Sequence, residues 1–197
     1  MAGDSRLAIL DALRGARLAE APLPAPRTAV RFADPERELA ERVVAAGGRF
    51  LRLADRAALD AALTTLEPWD AEKRIVSLVP GVARRDVDLA AAVRPHELAD
   101  VHLAVLPGRL AVAESGAVWV DERDLGPLRA LFVIAQHLVL AVEARDVVSD
   151  MHEAYARLGA PPGFGCFVAG PSKTADIEGV LVVGAHGART CTVALLG

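Results

Sequence analysis

Most of the chain alternates between segments with helical spacing of apolar residues and short apolar runs typical of strands. Two helices are predicted by DPERELAERVVAAGG, with Pro35 in its first turn, and by DRAALDAALTTL, capped by Asp55. Buried strands are predicted by RFLRL, KRIVSLVPG and VHLAVLPG, with helical pieces in RRDVDLAAAV and HELAD between the last two. Such alternation favours a mostly parallel sheet that is covered by helices on both faces.

The pattern changes after VHLAVLPG, because the next apolar runs follow one another too closely for helical crossovers. Two short strands are predicted by RLAVAESGAVWVDE, and further strands by LFVI and HLVLAVE, so we expect hairpins or tight turns here. A helix is predicted over VVSDMHEAYARLG, with Ser149 as its N-cap. The last apolar runs are CFVAG, VLVVG and TCTVALL.

The first 30 residues are predicted to lie outside this fold. A short helix is expected there, because DSRLAILDALRGARL places Leu7, Leu10 and Leu13 on one stripe. The following APLPAPRTAV contains three prolines and is expected to be extended. We therefore divide the chain into an N-terminal helical arm, residues 1–30, and an α/β domain, residues 31–197. An apolar stripe beyond such a connector needs a surface to cover, which favours a homodimer.

Composition and charge narrow the class of protein. The 197 residues are 53% hydrophobic, which favours a folded domain over disorder. A net charge of -4 and only eight aromatic residues disfavour nucleic-acid binding. The longest uncharged run near the middle of the chain, ALFVIAQHLVLAV, is too short to span a bilayer, and charges interrupt the N-terminal apolar stretch, unlike in a secretory signal. We expect a cytoplasmic protein without a membrane span.

The cysteines and histidines show no spacing typical of a metal site. Cys166 and Cys191 stand apart in apolar runs, without a C-x-x-C pattern, which predicts buried thiols and no iron–sulfur cluster held by this chain. The five histidines form neither H-x-H nor H-E-x-x-H. G-x-S-x-G is also absent, so hydrolase chemistry lacks its usual nucleophile motif.

Three polar turns are candidates for chemistry. The first is AESG, where Glu114 sits at a tight turn between two apolar strands. A carboxylate in that position is suited to act as a base, a nucleophile or a hydrogen-bond acceptor. The alternative interpretation is a turn residue exposed to water.

The second candidate is the polar stretch GPSKTADIEG, which follows CFVA. Ser172 or Thr174 is predicted to cap a short helix, whose free N–H groups together with the Lys173 ammonium would attract an anion. A capped helix start that binds nothing explains the same residues equally well. A P-loop is excluded, because serine and not glycine precedes the lysine. The candidate ligand-binding residues of this stretch are Gly170, Ser172, Lys173, Thr174, Asp176 and Glu178.

The third candidate is GAHGAR, which joins VLVV to TCTVALL and contains His186, Gly187 and Arg189. A hairpin turn explains its glycines but not its histidine and arginine. Because both this turn and GPSKT leave apolar runs that resemble buried parallel strands, we expect them to meet at one edge of the sheet. The prediction is an anion pocket at the strand carboxyl ends, with Glu114 at its margin.

Taken together, GPSKTADIE, VLVVGAHGAR, AVAESGAVWVDE and FADPERELAERVVAAGGRF resemble the LUD domain family, and within it the lactate utilization protein C branch. The resemblance covers residues 30–197. It implies a three-layer α/β/α sandwich similar to the NagB/RpiA/CoA-transferase-like fold. It also implies partner proteins that carry iron–sulfur clusters and oxidise L-lactate to pyruvate.

Two functions follow as hypotheses from this resemblance. The first is an accessory subunit of a lactate-oxidising complex that binds no cofactor by itself and contributes a pocket for a small anionic ligand. The second is a stand-alone acyl- or phosphate-transfer enzyme that uses Glu114, by analogy with the nucleophilic glutamate of class I CoA transferases. That analogy is an association at the level of the fold.

Overall fold

The computed structural model describes residues 2–16, 21–25, 28–67, 69–70, 72–82, 94–160, 163–176 and 179–197. The α-helices in these ranges are α1 (Ala2–Gly15), α2 (Pro35–Ala45), α3 (Arg56–Leu63), α4 (Glu122–Leu125), α5 (Leu131–Ile134) and α6 (Met151–Leu158). The strands are β1 (Arg49–Leu53), β2 (Arg74–Ser77), β3 (Val101–Pro107), β4 (Leu110–Val112), β5 (Ala117–Asp121), β6 (His137–Glu143), β7 (Val147–Val148), β8 (Gly165–Val168), β9 (Lys173–Thr174), β10 (Val182–Val183) and β11 (Thr190–Leu196). Short 3-10 turns cover Pro95–Leu98, Gly126–Leu128 and Ala144–Asp146.

A five-stranded parallel sheet forms the centre of the fold. Its strand order is β1-β11-β6-β3-β2, with Arg49 opposite Thr192 and Thr190 opposite His137. The central strands are almost fully apolar, as expected of parallel strands that are buried on both faces. The expected class, a mixed α/β fold with a central parallel sheet flanked by helices, is confirmed.

The two faces of this sheet pack against different partners. On one face, Leu59 and Leu63 of α3 pack against alternate residues of β3, β6 and β11. On the other face, Leu39 and Val43 of α2 share one buried core with β6, β11 and the inner side of a second sheet. The alternating pattern along β11 therefore assigns each of its side chains to one of two cores.

The second sheet has four strands in the order β7-β4-β5-β8. The predicted hairpin around Glu114 is confirmed, because β4 and β5 pair antiparallel, with Val112 opposite Ala117. Along β5, Val118 and Val120 face the central sheet, whereas Trp119 faces outward and packs in a third cluster with Ala154 of α6. The hairpin thus adds a separate layer between the central sheet and α6.

Several local predictions are wrong. LFVI forms the short helix α5, since a four-residue apolar run carries no periodicity that separates helix from strand. The predicted helix start at Ser172 and Thr174 is a two-stranded hairpin, in which Lys173 pairs with Val183. VLVV is not a buried strand, because Leu181 is 66% exposed. The N-cap of α6 is Asp150 and not Ser149. The helix predicted over RRDVDLAAAV lies outside the described residues.

The N-terminal arm contains the predicted helix, α1, whose Leu7 and Leu13 are largely exposed. The end of the connector is held on the domain. The backbone N–H of Val30 donates to Asp150 Oδ2 at 2.6 Å, and the N–H of Phe32 donates to Ser149 Oγ at 3.3 Å. The N-cap of α6 therefore also holds the chain that leads into α2.

Candidate functional site

The GPSKT and GAHGAR stretches lie side by side, because backbone hydrogen bonds in and beside the β9–β10 hairpin join them. Ser172 donates its N–H to the carbonyl of Ala188 at 2.9 Å, and Gly184 donates to the carbonyl of Ser172 at 3.0 Å. Gly187 lies so close that a Cβ atom there would stand 3.0 Å from Ser172 Cβ. The structure thus brings together Ser172, His186 and Gly187, three of the residues that the sequence singled out.

These residues border a groove at the free edge of β8, which we call the β8 groove. Its volume is about 230 Å³. Its floor is apolar, whereas Ser172 and His186 supply polar side chains at one end. It is lined by Phe132, Val133, Leu138, residues 166–172 and residues 186–188.

The predicted location of the pocket is wrong. The turn that contains His186 leads into the first residue of β11, and Leu138 is the second residue of β6, so the groove lies at the amino ends of the parallel strands. The reason is topological. β8 pairs antiparallel with β5 in the second sheet, so its carboxyl end reaches the opposite edge from the one expected of a parallel strand.

Lys173 is close to the β8 groove but does not line it. Its ammonium donates to the carbonyl of Ala46 at the C-terminal end of α2. That helix ends in two backbone bonds typical of a Schellman motif, from Gly47 to Val44 and from Gly48 to Val43. A cation at this point complements the helix dipole. The contact gives Lys173 a structural role.

Gly170 explains why the chain can approach this helix end so closely. Its φ is +70°, a left-handed conformation that favours glycine. A Cβ at this position would also stand 2.6 Å from the carbonyl oxygen of Ala46. Both observations require glycine.

The other predicted residues of these stretches are spread out. Thr174 is half-buried in β9 opposite Val182, and Asp176 is exposed. Arg189 donates its N–H to the carbonyl of Gln136 at 2.8 Å, and its side chain packs against Gly184. Glu178 lies outside the described residues.

Glu114 is used by the start of α6. Its Oε1 accepts the N–H of Met151 at 2.8 Å, and its own N–H donates to the carbonyl of Ser149 at 3.0 Å. Together with the N-cap Asp150, it satisfies N–H groups that the first helical turn leaves unpaired. Glu114 does not line the β8 groove. Its catalytic role stays a prediction, and the observed contact is the hydrogen-bond acceptor role.

A polar cluster that sequence reasoning missed lies at the same end of the central sheet. His137 Nδ1 and Thr190 Oγ1 are 2.9 Å apart, and the rings of His102 and His137 meet edge to face with centroids 4.7 Å apart. Burial, His102 and Arg189 hold the pKa of His137 below its usual value, whereas Glu67 acts in the opposite direction. The signal in the sequence was that each of these three polar residues stands at the start of an apolar strand.

His102 reaches this cluster through a β-bulge. Arg74 and Ile75 of β2 pair with Val101 and Leu103 of β3, so His102 is an extra residue between two pairs. A bulge redirects side chains by breaking the alternation of the strand. His102 and Leu103 therefore approach the same side of the sheet, where the ring of His102 contacts His137.

Next to this cluster is a second cavity, which we call the amino-edge groove. Its volume is about 180 Å³, and it lies where β1 and β11 begin. It is lined by Gly47, Gly48, Arg49, Glu67, Thr190, Cys191 and Thr192.

The described ranges contain no group of three or more histidine, cysteine, aspartate or glutamate side chains arranged to hold a metal ion. Burial raises the pKa of the Cys191 thiol to about 12, and burial also raises the pKa of Cys166, which lines the β8 groove. Both thiols are therefore protonated near neutral pH. Among the helices of the described residues, none is long and apolar enough to cross a bilayer.

Comparison with known proteins defines the family. A central parallel sheet flanked by helices establishes a mixed α/β protein, and a crystal structure of a DUF162 family protein from Deinococcus radiodurans has a similar fold. That structure superposes with a TM-score of 0.56 at 16% identity, covering 83% of this chain and 96% of the other. The LUD domain model matches residues 62–196, and the chain belongs to the LUD domain family.

Two curated relatives are named lactate utilization protein C. The protein from Geobacillus kaustophilus is 33% identical over 129 residues, which cover 61% of this chain and 50% of the relative. The protein from Deinococcus radiodurans is 33% identical over 98 residues, which cover 48% of this chain and 46% of the relative. The chain thus spans about half the length of the curated relatives that it matches.

Proposed function

We propose that this protein acts in lactate utilization and binds a small monocarboxylate, such as L-lactate or pyruvate, in the β8 groove. The similarity to two proteins named lactate utilization protein C supports the process. The observation that supports the site is the pairing of GPSKT with GAHGAR, which places Ser172 and His186 beside an apolar floor.

The lining of the groove suits such a ligand. A monocarboxylate of this size has an apolar end and one charged end. The apolar floor, with Phe132 and Leu138, would cover the methyl group. The Ser172 hydroxyl and a ring N–H of His186 would donate hydrogen bonds to the carboxylate, and hydrogen bonds to an ionised acceptor are the stronger kind. Because no lysine or arginine is among the described residues that line the groove, a monoanion matches it better than a dianion.

The binding experiment is calorimetric titration of the purified full chain with L-lactate and with pyruvate. Ser172→Ala and His186→Ala are each expected to weaken binding about tenfold, which corresponds to ~1.4 kcal/mol. His152→Ala is the matched control, because His152 is an exposed histidine on α6. Binding that is equally strong in all three variants contradicts this site.

Cys166 offers a second, independent measurement. It lines the β8 groove and is half-buried, whereas Cys191 is 2% exposed. A bound monocarboxylate should therefore slow the alkylation of Cys166 by N-ethylmaleimide, followed by mass spectrometry, and Cys191 should stay unmodified throughout. If Cys166 is alkylated as fast with saturating ligand as without it, the ligand binds elsewhere.

The same proposal includes partner proteins. Oxidation of a 2-hydroxy acid to a 2-oxo acid removes two electrons, which require an acceptor. We propose that iron–sulfur proteins of the same system provide it and that this chain is their accessory subunit. Anaerobic purification from the native cell, with iron measured in the eluate, should recover iron together with this protein. Lactate oxidation by the purified chain alone, with an artificial dye, contradicts the accessory role.

The acyl- or phosphate-transfer alternative is not favoured by the observed contacts. The contact observed for Glu114 is that of a helix cap, since its Oε1 accepts the N–H of Met151, and Glu114 does not line the β8 groove in which a substrate is proposed to bind. A covalent acyl adduct on Glu114, trapped with hydroxylamine after mixing with acyl-CoA, would restore that alternative.

A further inference from the structure

The amino-edge groove and the β8 groove are neighbouring cavities at the amino ends of the parallel strands, and they share no lining residue. Leu138 of the β8 groove belongs to the core shared with α2 and the second sheet. Thr190 and Thr192 of the amino-edge groove lie on the same face of β11 as Ala194 and Leu196, which pack toward α3, whereas Cys191 belongs to the core on the other face. Arg49 likewise lies on the same face of β1 as Leu51 and Leu53, which pack toward α3. The two grooves are therefore separate sites that can be tested independently.

Unpaired arginines distinguish the amino-edge groove. Within the described ranges, arginine side chains generally form ion pairs with carboxylates, as Arg52 does with Glu36. The arginines of those ranges that form none are Arg6, Arg49 and Arg189. Arg6 is exposed on α1, whereas Arg49 lines the groove. Arg189 does not line it, since its side chain packs against Gly184, but its charge acts on His137, which contacts Thr190 of the lining.

Hydrogen-bonding groups accompany these cations. The hydroxyl groups of Thr190 and Thr192 line the groove, and Thr190 contacts the ring of His137. The Lys173 ammonium is near the same rim, since it would stand 3.1 Å from a Cβ atom built on Gly47. Glu67 supplies a carboxylate to the lining of the groove. Cationic groups therefore outnumber carboxylates around this cavity.

We propose that the amino-edge groove binds a phosphate group, with the guanidinium group of Arg49 as the cationic partner in its lining, that of Arg189 as a second cation beside it and the Thr190 hydroxyl as a further donor. The planar guanidinium presents paired N–H donors that match phosphate oxygens. A phosphate group carries close to two negative charges at neutral pH and so gains more than a monocarboxylate from two cations. The volume of about 180 Å³ is several times the roughly 30 Å³ that one water molecule occupies in the liquid, so the groove has room for a phosphate group.

The binding test is calorimetric titration of the full chain with inorganic phosphate at low ionic strength. Arg49→Gln and Arg189→Gln are each expected to weaken phosphate binding about tenfold. Arg52→Gln is the matched control, because Arg52 is exposed on the same strand and pairs with Glu36. Equal phosphate affinity in the three variants overturns the proposal.

Glu67→Gln tests the sign of the electrostatics. Removing the carboxylate that lines the groove should strengthen phosphate binding about threefold, opposite in direction to the effect of Arg49→Gln. Weaker binding in Glu67→Gln would contradict an anion site. Circular dichroism and thermal unfolding of each variant establish that a loss of binding is not a loss of fold.

His137 provides a reporter inside the protein. Its ring contacts His102 and Thr190, and the charges of Arg189 and Glu67 act on it. A bound phosphate should raise the pKa of His137, measured by the NMR titration of its ring carbon, whereas chloride at matched ionic strength should not. An equal effect of chloride and phosphate indicates general screening and contradicts a specific site.

The phosphate group has two possible sources, free phosphate and a larger phosphorylated molecule. Titration with inorganic phosphate and with ATP separates them, since binding at least tenfold tighter for ATP assigns the site to a nucleoside phosphate. Comparable affinities assign it to free phosphate. Absence of binding of either one up to about 10 mM, weaker than about -3 kcal/mol, overturns the proposal.

This inference and the proposed function can fail separately. Phosphate binding should be unchanged in Ser172→Ala, and L-lactate binding should be unchanged in Arg49→Gln.

Discussion

Two polar clusters in this protein differ in whether their charged side chains are paired with other groups of the protein. Asp121 at the end of β5 is fully buried, and its carboxylate accepts the indole N–H of Trp119 at 3.0 Å, the backbone N–H of Arg123 at 3.0 Å and the guanidinium groups of Arg123 and Arg109. At the amino-edge groove, Arg49 and Arg189 have no carboxylate partner among the described residues.

The difference separates a stabilising cluster from a candidate binding site. A buried carboxylate whose lone pairs are all used has nothing left to offer a ligand, but its removal leaves its partners unsatisfied. Cations without a partner contribute little to folding and remain free to bind an anion. The comparison therefore predicts large effects on stability at Asp121 and small ones where charged side chains are exposed.

The largest expected effect is that of Asp121→Asn. The neutral amide keeps only one acceptor oxygen and forms no ion pair with the guanidinium groups of Arg109 and Arg123, so we expect a loss of about 2 to 3 kcal/mol in the free energy of unfolding. Urea denaturation measures it. Asp124→Asn is the control, because Asp124 pairs with Arg109 alone and is partly exposed, so it should cost less than about 1 kcal/mol. Equal losses in the two variants would remove the distinction between the clusters.

The stabilising contribution of Asp121 should depend on pH in a direction that its lowered pKa determines. Burial acts to raise the pKa of Asp121, but hydrogen bonds from Arg123 and Trp119 outweigh it and lower the pKa to about 2. A carboxyl group with a lowered pKa stabilises the fold above its unfolded pKa near 4 and loses that contribution as the pH falls toward about 2. The stability difference between wild type and Asp121→Asn should therefore shrink in acid. A constant difference from about pH 6 to pH 2 would contradict the assignment to this carboxylate.

The parts of the fold that sequence predicted correctly carry local signals. Asp55 accepts the N–H of Ala58 at the start of α3, and Gly47 ends α2, as their positions in the sequence indicate. The all-apolar runs of β6 and β11 predict strands buried on both faces, and both lie in the centre of the sheet.

The parts that sequence did not predict depend on which strands pair. CFVA is predicted to be a parallel strand, but β8 pairs antiparallel with β5. The pocket therefore lies at the amino ends of the parallel strands and not at the predicted carboxyl ends. The pairing of Ser172 with the turn at His186 was expected, because both follow short apolar runs. The contact between His102 and His137 was not, since it needs a bulge that only the pairing with β2 creates.

A smaller loss of stability is expected on mutation of Glu114, which is half-buried and whose carboxylate makes one hydrogen bond to a helix start. Its Oε1 accepts the N–H of Met151, so Glu114→Ala should cost about 1 kcal/mol of stability, typical of a lost helix cap. Glu114→Gln keeps a carbonyl acceptor and should cost less. Ser115→Ala is the neighbouring control, because Ser115 is exposed and makes a long 3.4 Å contact with the N–H of Ala117. If denaturation finds both Glu114 variants as stable as wild type, the capping role is excluded.

The smallest expected effect is that of Lys173→Ala, which tests whether an exposed cation at a helix end behaves like the amino-edge arginines. Its ammonium donates to the carbonyl of Ala46, so removal should destabilise the protein by about 0.3 to 1 kcal/mol, the usual size of a charge–helix dipole interaction. The other lysine of the chain, Lys73, is exposed directly before β2, and Lys73→Ala should leave stability unchanged. Because exposed electrostatic interactions are screened, added salt should narrow the difference between the two variants in urea denaturation. A loss above about 2 kcal/mol for Lys173→Ala would place this lysine with Asp121, in a cluster that holds the fold together.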